Sequence, residues 1–476
     1  MKQTKLTGAI ALMVAQAIVL LFGYATHVLI GRLLGPAEYG IYGIVLSIQT
    51  IFGMLLTLGV PSAVSKFVAQ DAVHAKAILS HALKLQLVIS IALSVLLALA
   101  SPLIAYVLHD PSLVMYVLFV SVIIFFQAFY PVYVQFLSGM HRFNAQAFLT
   151  SIYAIAKLVG ALALLYFFSL YGALAGFAIG GIIAALLGWY WTRGIPKIEG
   201  YSIHLKSFLS FAGTYAIILV GLQVLMSQDL FMVKALLKND VLAGYYNAAV
   251  TLSRISYMLL QGLSFVLLPS VAALTRPGAS HDKAVQFIRD TLRYLIILIV
   301  PSVALASATS KGLIILFFSN KYIQAAPVLT VLMVGLGCLS FYLLLANIVA
   351  GAGKPKAGLY ITGLMIIISA AIGSFSIPMF GLIGAAWQTT IASSVGLAAL
   401  AIYTFHVFAI PYPIKSTINV GIATACMIIP TYIWHATGVL LLGQYIVVGL
   451  LYLGVLWIMG EVTEKDTTYA LSIIRK

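Results

Sequence analysis

Apolar runs of roughly 20 residues, separated by short clusters of Gly, Pro and charge, recur along the whole 476-residue chain. A transmembrane helix needs about 20 consecutive apolar residues. The pattern predicts fourteen helices, over 6–30, 39–60, 83–107, 112–136, 146–168, 171–192, 207–232, 242–268, 291–317, 325–349, 358–378, 381–405, 417–435 and 438–460. The connections carry the breakers: Gly31 to Pro36, Gly139 to Asn144, Gly194 to Gly200, Pro277 to Ser280 and Gly351 to Pro355. None is long enough for a domain outside the membrane. After Pro277 a short amphipathic helix is expected, capped by Ser280, with Ala284, Phe287, Ile288 and Leu292 on one face. The first run follows Lys2 and Lys5 and contains Ala15-Gln16-Ala17, a small-x-small cleavage pattern. It nevertheless continues to Ile30, beyond the ~7–15 residues of a signal peptide's apolar region, and reads as the first membrane helix.

Composition agrees with this reading and narrows the function classes. Hydrophobic residues make up 63% and charged residues 8%, against about 25% charged in an average soluble domain. So few charges cannot cover a soluble surface, and so many aliphatic and aromatic residues exclude a disordered chain. The expected class is an all-α polytopic membrane protein. The net charge of +15 would suggest nucleic acid in a soluble protein, but here it follows from loop lysines and arginines. With the N-terminus placed in the cytoplasm, nineteen of the 26 Lys+Arg fall in cytoplasmic segments and five in outer ones, Arg32, Lys234, Lys238, Lys311 and Lys321. Lys157 and Arg254 fall inside predicted helices. That asymmetry predicts an orientation with both termini cytoplasmic. Cys338 and Cys426 lie in separate apolar runs and read as small buried residues, not a disulfide or a metal pair.

An internal repeat runs through the chain. Leu33-Leu34-Gly35-Pro36-Ala37-Glu38-Tyr39-Gly40 aligns with Leu236-Leu237 and then Gly244-Tyr245-Tyr246, at an offset of about 204. Ser138-Gly139 before Arg142 aligns with Ala350-Gly351 before Lys354, at 212. Tyr171-Gly172-Ala173 aligns with Phe380-Gly381-Leu382, at 209. Six helices per copy is an even number, so both copies share one membrane orientation. That predicts parallel, pseudo-symmetric lobes with a cavity between them: an N-terminal lobe over 1–200, a C-terminal lobe over 201–410, and two extra helices with a cytoplasmic tail over 411–476.

Ile30-Gly31-Arg32-Leu33-Leu34-Gly35-Pro36-Ala37-Glu38-Tyr39-Gly40-Ile41-Tyr42 resembles the region after the first helix of polysaccharide exporters. The Gly-Tyr-Tyr at Gly244 and Gly351-Ala352-Gly353-Lys354-Pro355 are similar to the family as well. The resemblance is to the multidrug/oligosaccharidyl-lipid/polysaccharide exporter superfamily, and within it to O-antigen-type and sporulation-type flippases. It implies a V-shaped cavity, alternating access and an undecaprenyl-pyrophosphate-linked sugar moved to the outer leaflet. It implies no enzyme activity and no cofactor, with proton or sodium coupling open. The implied partners are the lipid-linked saccharide and membrane lipids, with a polysaccharide polymerase or glycosyltransferases nearby, for a chain acting as a monomer without nucleic acid. Related lipid II flippases are thought to hold sodium with an acid in helix 7 and oxygens of helices 11 and 12. Here 358–378 carries no Asp or Asn, and its polar candidates, Thr362, Ser369 and Ser374, are hydroxyls.

Candidate chemistry follows from polar residues placed where hydrocarbon disfavours them. A cation at the bilayer centre costs about 2.5–3.5 kcal/mol on insertion scales and persists where it meets a cavity or partner. Arg254 lies near the middle of its helix. Asn247, Thr251, Arg254, Met258 and Gln261 share one helical face, the pattern of a cavity wall. The alternative is a structural pairing of Arg254 with Asp229 or a carbonyl. Lys157, also mid-helix, reads as a second cavity cation or as a lysine bonded to carbonyls. Asp229 reads either as an ion-coupling carboxylate or as a paired residue. In the first copy Gln16 and Gln49 take comparable positions. Arg32 reads as a guide for the pyrophosphate or as a lock on Glu38. His27 reads as a hydrogen-bonded structural residue. Pro131, flanked by Gln127, Tyr130, Tyr133 and Gln135, and Pro301 are expected bends. A pyrophosphate-linked sugar needs cations, amides and hydroxyls for its head and an apolar gap for its tail. A drug antiporter, the competing reading, would need more acids in its cavity, and a membrane glycosyltransferase would need an acidic pair in a large outer loop.

Overall fold

A computed structural model describes residues 5–196, 198, 205–274, 281–352, 354–408 and 413–461. Every regular element among them is helical. In chain order these are α1 (Lys5–Leu34), α2 (Pro36–Leu58), α3 (Val60–Gln70), α4 (Ala75–Val107), α5 (Leu113–Gln127), α6 (Tyr130–Gly139), α7 (Phe143–Thr192) and α8 (Leu205–Leu237). They are followed by α9 (Asp240–Leu274), α10 (His281–Ala308), α11 (Ser310–Phe317), a 3-10 turn, α12 (Ala326–Gly351), α13 (Pro355–Phe408), α14 (Ile414–Ile433) and α15 (Leu440–Ile458). Eleven described helical stretches are long and apolar enough to cross a membrane. The chain is a multi-pass membrane protein. It divides into two compact units, Met1–Gly244 and Tyr245–Lys476.

Two of those stretches are twice the length a bilayer needs, and each is folded back on itself. α7 has 50 residues, and Ser169 interrupts it with φ 47°. The arms on either side run antiparallel. A Cβ on Gly172 would stand 2.1 Å from the Leu164 carbonyl oxygen, one on Gly176 2.6 Å from Ala161, and one on Gly180 2.9 Å from the Tyr153 carbonyl oxygen. Without a hydrophobic drive between helices in lipid, small residues that let backbones meet carry the packing. α13, with 54 residues, is interrupted at Gly381 with φ 59°. A Cβ on Gly384 would stand 2.0 Å from the Ser376 carbonyl oxygen. Ser169 and Gly381, Gly172 and Gly384, Leu164 and Ser376 are all related by 212. The repeat is therefore physical, and its third match shifts from the expected 209 to 212, the same offset as Gly139 and Gly351.

Breaks at Pro61 and Pro131 have a shared support. α2 gives way to α3 at Gly59, and α5 to α6 at Ala128 and Phe129, so Pro131 marks the expected bend. Pro301 lies inside an uninterrupted α10. Orphaned carbonyls are costly where no water reaches them. The fully buried Gln86 amide of α4 donates to Leu56 O at 2.8 Å and to Ala128 O at 2.7 Å, serving both breaks with one side chain. At the C-terminal end of α7, Lys76 Nζ donates to Thr192 O at 2.6 Å, satisfying one of the last-turn carbonyls.

In the second unit α14 and α15 pack on α10 through Ile296, Leu305, Val420, Ala423, Met427, Val448, Tyr452 and Leu456. Polar contacts pin the pair at several levels. Arg293 Nε donates to Glu461 at 2.8 Å, Asn419 donates to the other Glu461 oxygen at 3.0 Å, Tyr452 donates to Ile297 O at 2.7 Å, and Thr309 meets Tyr445 at 2.6 Å.

Candidate functional site

The first unit gathers two of the expected residues, Gln49 and Lys157, into one network. Gln49, 3% exposed on α2, donates to Gln127 Oε1 at 2.9 Å. Gln127, the last residue of α5, donates to the Tyr153 hydroxyl at 2.7 Å. Tyr153 stacks on Tyr130 with ring centroids 4.1 Å apart. One turn further along α7, Lys157 Nζ stands 5.8 Å from the Tyr153 ring centroid and 5.0 Å from that of Phe177. The α7 hairpin makes this cluster possible, because it brings Phe177 on the second arm back to Lys157 on the first. Ring faces attract a cation without cancelling its charge. Among the described residues no carboxylate is paired with Lys157. Tyr153 and Phe177 are additions to the expected set; Tyr153 is one turn before Lys157 on the same arm, and only the hairpin reveals Phe177.

The remaining first-copy candidates stand apart. Gln16 is exposed on α1. Arg32, also exposed, lies sixteen residues further along that helix, roughly 24 Å at 1.5 Å per residue. Glu38 accepts a hydrogen bond from Ser169 Oγ at 2.7 Å. His27 approaches the Tyr39 hydroxyl at 3.5 Å and meets Tyr42 edge-on.

On α8 the Asp229 carboxylate is 4% exposed and accepts from the Leu230 N–H at 2.8 Å. Lys234, expected to be an outer loop charge, belongs instead to α8 and is 3% exposed. It bridges Asp110, at 2.6 Å, and Asp240. Apolar flanks on both sides, Leu230-Phe231-Met232-Val233 and Ala235-Leu236-Leu237, were the sequence signal of a helical lysine.

In the second unit Asn247, Thr251 and Arg254 all lie on the continuous α9, which puts them on one face as the spacing requires. Asn247 and Thr251 are buried and Arg254 is half-buried. Thr251 Oγ1 is turned back to the Asn247 carbonyl at 2.8 Å. The Gln261 side chain lies outside the described residues. The second unit also contains an apolar cavity of about 650 Å³ that the sequence did not disclose. It lies among α10, α12, the second arm of α13 and α14, with Ile296, Val303, Phe341, Leu397, Phe405 and Ile428 in its walls, and among the described residues no charged one lines it.

A family model described as polysaccharide biosynthesis protein matches residues 6–275, more than half of the chain. The chain belongs to the polysaccharide biosynthesis protein family. An uncharacterized membrane protein of Methanocaldococcus jannaschii is 29% identical over 152 residues, which is 32% of this chain and 29% of that protein. The match thus spans under a third of that relative's length. Among solved structures, the lipid II flippase MurJ in its inward closed conformation superimposes with a TM-score of 0.77 at 18% identity, covering 95% of this family member and 98% of that chain. An inward-facing multidrug resistance transporter of the MATE family superimposes with 0.65 at 15% identity, covering 84% and 98%. A transporter of the same superfamily from Pyrococcus furiosus gives 0.59 at 15%, covering 84% and 95%. These matches establish the fold, and the proteins that share it are flippases and transporters, not enzymes.

Proposed function

We propose that this member of the polysaccharide biosynthesis protein family is a flippase for a polyprenyl-pyrophosphate-linked saccharide, working by alternating access in the cytoplasmic membrane with both termini inside. The observation that carries the reading is the contrast between the charge-free cavity of about 650 Å³ in the second unit and the cationic and amide groups elsewhere in the helices. An amphiphile with a long apolar tail and an anionic, hydroxyl-rich head needs both. The tail takes the cavity beside α14. Arg254 holds the pyrophosphate, since a guanidinium can grip phosphate oxygens bidentately, and Lys157 adds a point charge. Asn247, Gln49 and the Gln127–Tyr153 pair offer amides and a hydroxyl to the sugar, with Gln261 further along the α9 face. Gln16 and Arg32 act along the route of the head group. The lobes are 1–200 and 201–410, with 411–476 added, and about fourteen membrane crossings. Asp229 couples the cycle to a proton or sodium ion.

The test is a reconstituted assay. Vesicles holding the purified chain and a fluorescent polyprenyl-pyrophosphate-linked saccharide are treated with an impermeant glycosidase. Protein-dependent exposure of the inner-leaflet pool supports the reading. Equal exposure with and without protein contradicts it, and export of a cationic dye in place of the lipid would favour the drug antiporter, for which the buried Asp229 is the supporting residue.

A further inference from the structure

At the expected outer end, residues of both sequence copies meet. Asp110 lies on the connection between α4 and α5 of the first copy, and Lys234 and Asp240 belong to the α8–α9 hairpin that opens the second. The Lys234 ammonium touches both carboxylates. Each partner is also fixed from its own side. Asp110 accepts from the Ser112 N–H at 3.0 Å and the Ser112 hydroxyl at 2.6 Å. Asp240 stands in the first turn of α9, where Asn239 caps the Val241 and Leu242 N–H groups. Next to this triad the backbones cross reciprocally. A Cβ on Gly40 would stand 2.2 Å from the Asp240 carbonyl oxygen, and a Cβ on Gly244 would stand 1.8 Å from that of Pro36. The first-copy side is braced by Ser169 on Glu38 and by Tyr116 stacked on Tyr171 at 4.7 Å.

The composition of this contact distinguishes a reversible joint from a permanent one. A permanent contact between charged groups in a membrane protein pairs them one for one. Here two carboxylates share one ammonium, which leaves a net negative charge, and all three groups belong to or adjoin connections that water can reach once they part. Charged groups at a water boundary are cheap to separate because each regains its hydration. The glycine crossing beside them holds the backbones close with no interdigitated side chain to pull out.

We infer that Lys234, clamped between Asp110 and Asp240, is an outer latch that holds the α8–α9 hairpin of the second copy against the first, and that it must release before the transporter opens outward. The inference rests on the transport reading, since only a cycling protein needs a releasable contact there. Lys234 does not touch the substrate in this account; it sets the balance between inward and outward states.

The experiment uses the full chain with Cys338 and Cys426 replaced by alanine and a reporter at Thr50→Cys. Thr50 is half-buried on α2, ten residues and roughly 15 Å inward of Gly40. An impermeant maleimide is added outside intact cells. Lys234→Met should raise the labelling rate by about tenfold, a typical coupling between states. Asp110→Asn should raise it less, and Lys234→Arg should stay close to the parent. Equal rates in the parent, Lys234→Met and Asp110→Asn at equal abundance overturn the latch. If Lys234→Met does not accumulate, Asp110→Asn decides alone, and an unchanged rate overturns the latch. Labelling reads conformation and not cargo. Faster labelling in a chain that moves no lipid-linked saccharide therefore keeps the latch and removes the flippase reading.

Discussion

Lys157 and Lys234 both lie within the first compact unit, and their surroundings are opposite. Lys234 is held by two carboxylates, Asp110 and Asp240. Lys157 is held by two rings, Tyr153 and Phe177. A counter-charge satisfies an ammonium and leaves it nothing further to bind. Ring faces stabilise the ammonium yet leave its net charge available to an anion. The same residue type therefore reads as a joint in one place, where Lys234 is buried, and as a ligand group in the other, where Lys157 is half-buried, and the partners make the difference.

The comparison predicts opposite responses to one substitution. Lys234→Met removes the cation and strands two carboxylates, and because Asp240 is 34% exposed the loss is only part of the about 3–5 kcal/mol that a fully buried pair costs when one partner is lost. Thermal unfolding in detergent should show a marked loss of stability. Lys157→Met strands nothing and should leave unfolding unchanged or slightly improved, while lowering saccharide transport by about 10–100-fold, the worth of a hydrogen bond to a charged group. If both variants lose stability alike, the two lysines are both structural.

Backbone contacts give the next effect. Gly172→Ala and Gly384→Ala would drive a Cβ into a carbonyl oxygen across each hairpin, and overpacking of this kind costs about 1–3 kcal/mol. Gly23→Ala on α1, with open space around its Cβ position, should be neutral or stabilising by up to about 1 kcal/mol. Unfolding midpoints of the three variants check this, and equal midpoints would deny that the hairpins depend on those glycines.

How much of this was legible in the sequence follows the range of each interaction. Helices were legible because hydrocarbon imposes its period locally, and the break beside Pro131 was marked by its proline, whereas the helix that resumes after Gly59 was not expected. The duplication was legible from Gly40 and Gly244, but its register at Gly381 needed the kink geometry, since Ser169 carries the positive φ in one copy and glycine in the other. Lys157 stood out as a charge in an apolar run. Lys234 did not, because the helix expected over 207–232 stopped two residues short of it and left it with the outer segments, and Asp110 is 124 residues away. The cavity of the second unit is an absence shared by four helices and leaves no mark on any single one.

The smallest predicted effect concerns acid. Burial opposes the charge on Asp110, but hydrogen bonds from Lys234 and Ser112 and the Lys234 charge outweigh it, so the carboxyl titrates below the ordinary aspartate range. A folded-state value below the unfolded one gives stability that is fully present above the unfolded value and is lost as the pH falls through the folded one. The Lys234 contact should therefore hold at neutral pH and weaken only below about pH 4. Asp110→Asn should flatten the acid limb of the unfolding midpoint against pH and leave Lys157 variants' acid limb untouched.

Arg254 tests the central claim most directly. The chain is reconstituted with a fluorescent polyprenyl-pyrophosphate-linked saccharide, and flipping is followed with an impermeant glycosidase for the parent, Arg254→Ala and Arg254→Lys. The account predicts that Arg254→Ala inserts normally and loses transport, and that Arg254→Lys keeps part of it because a point charge remains where the bidentate fork is gone. Full transport by Arg254→Ala at normal abundance would contradict the account.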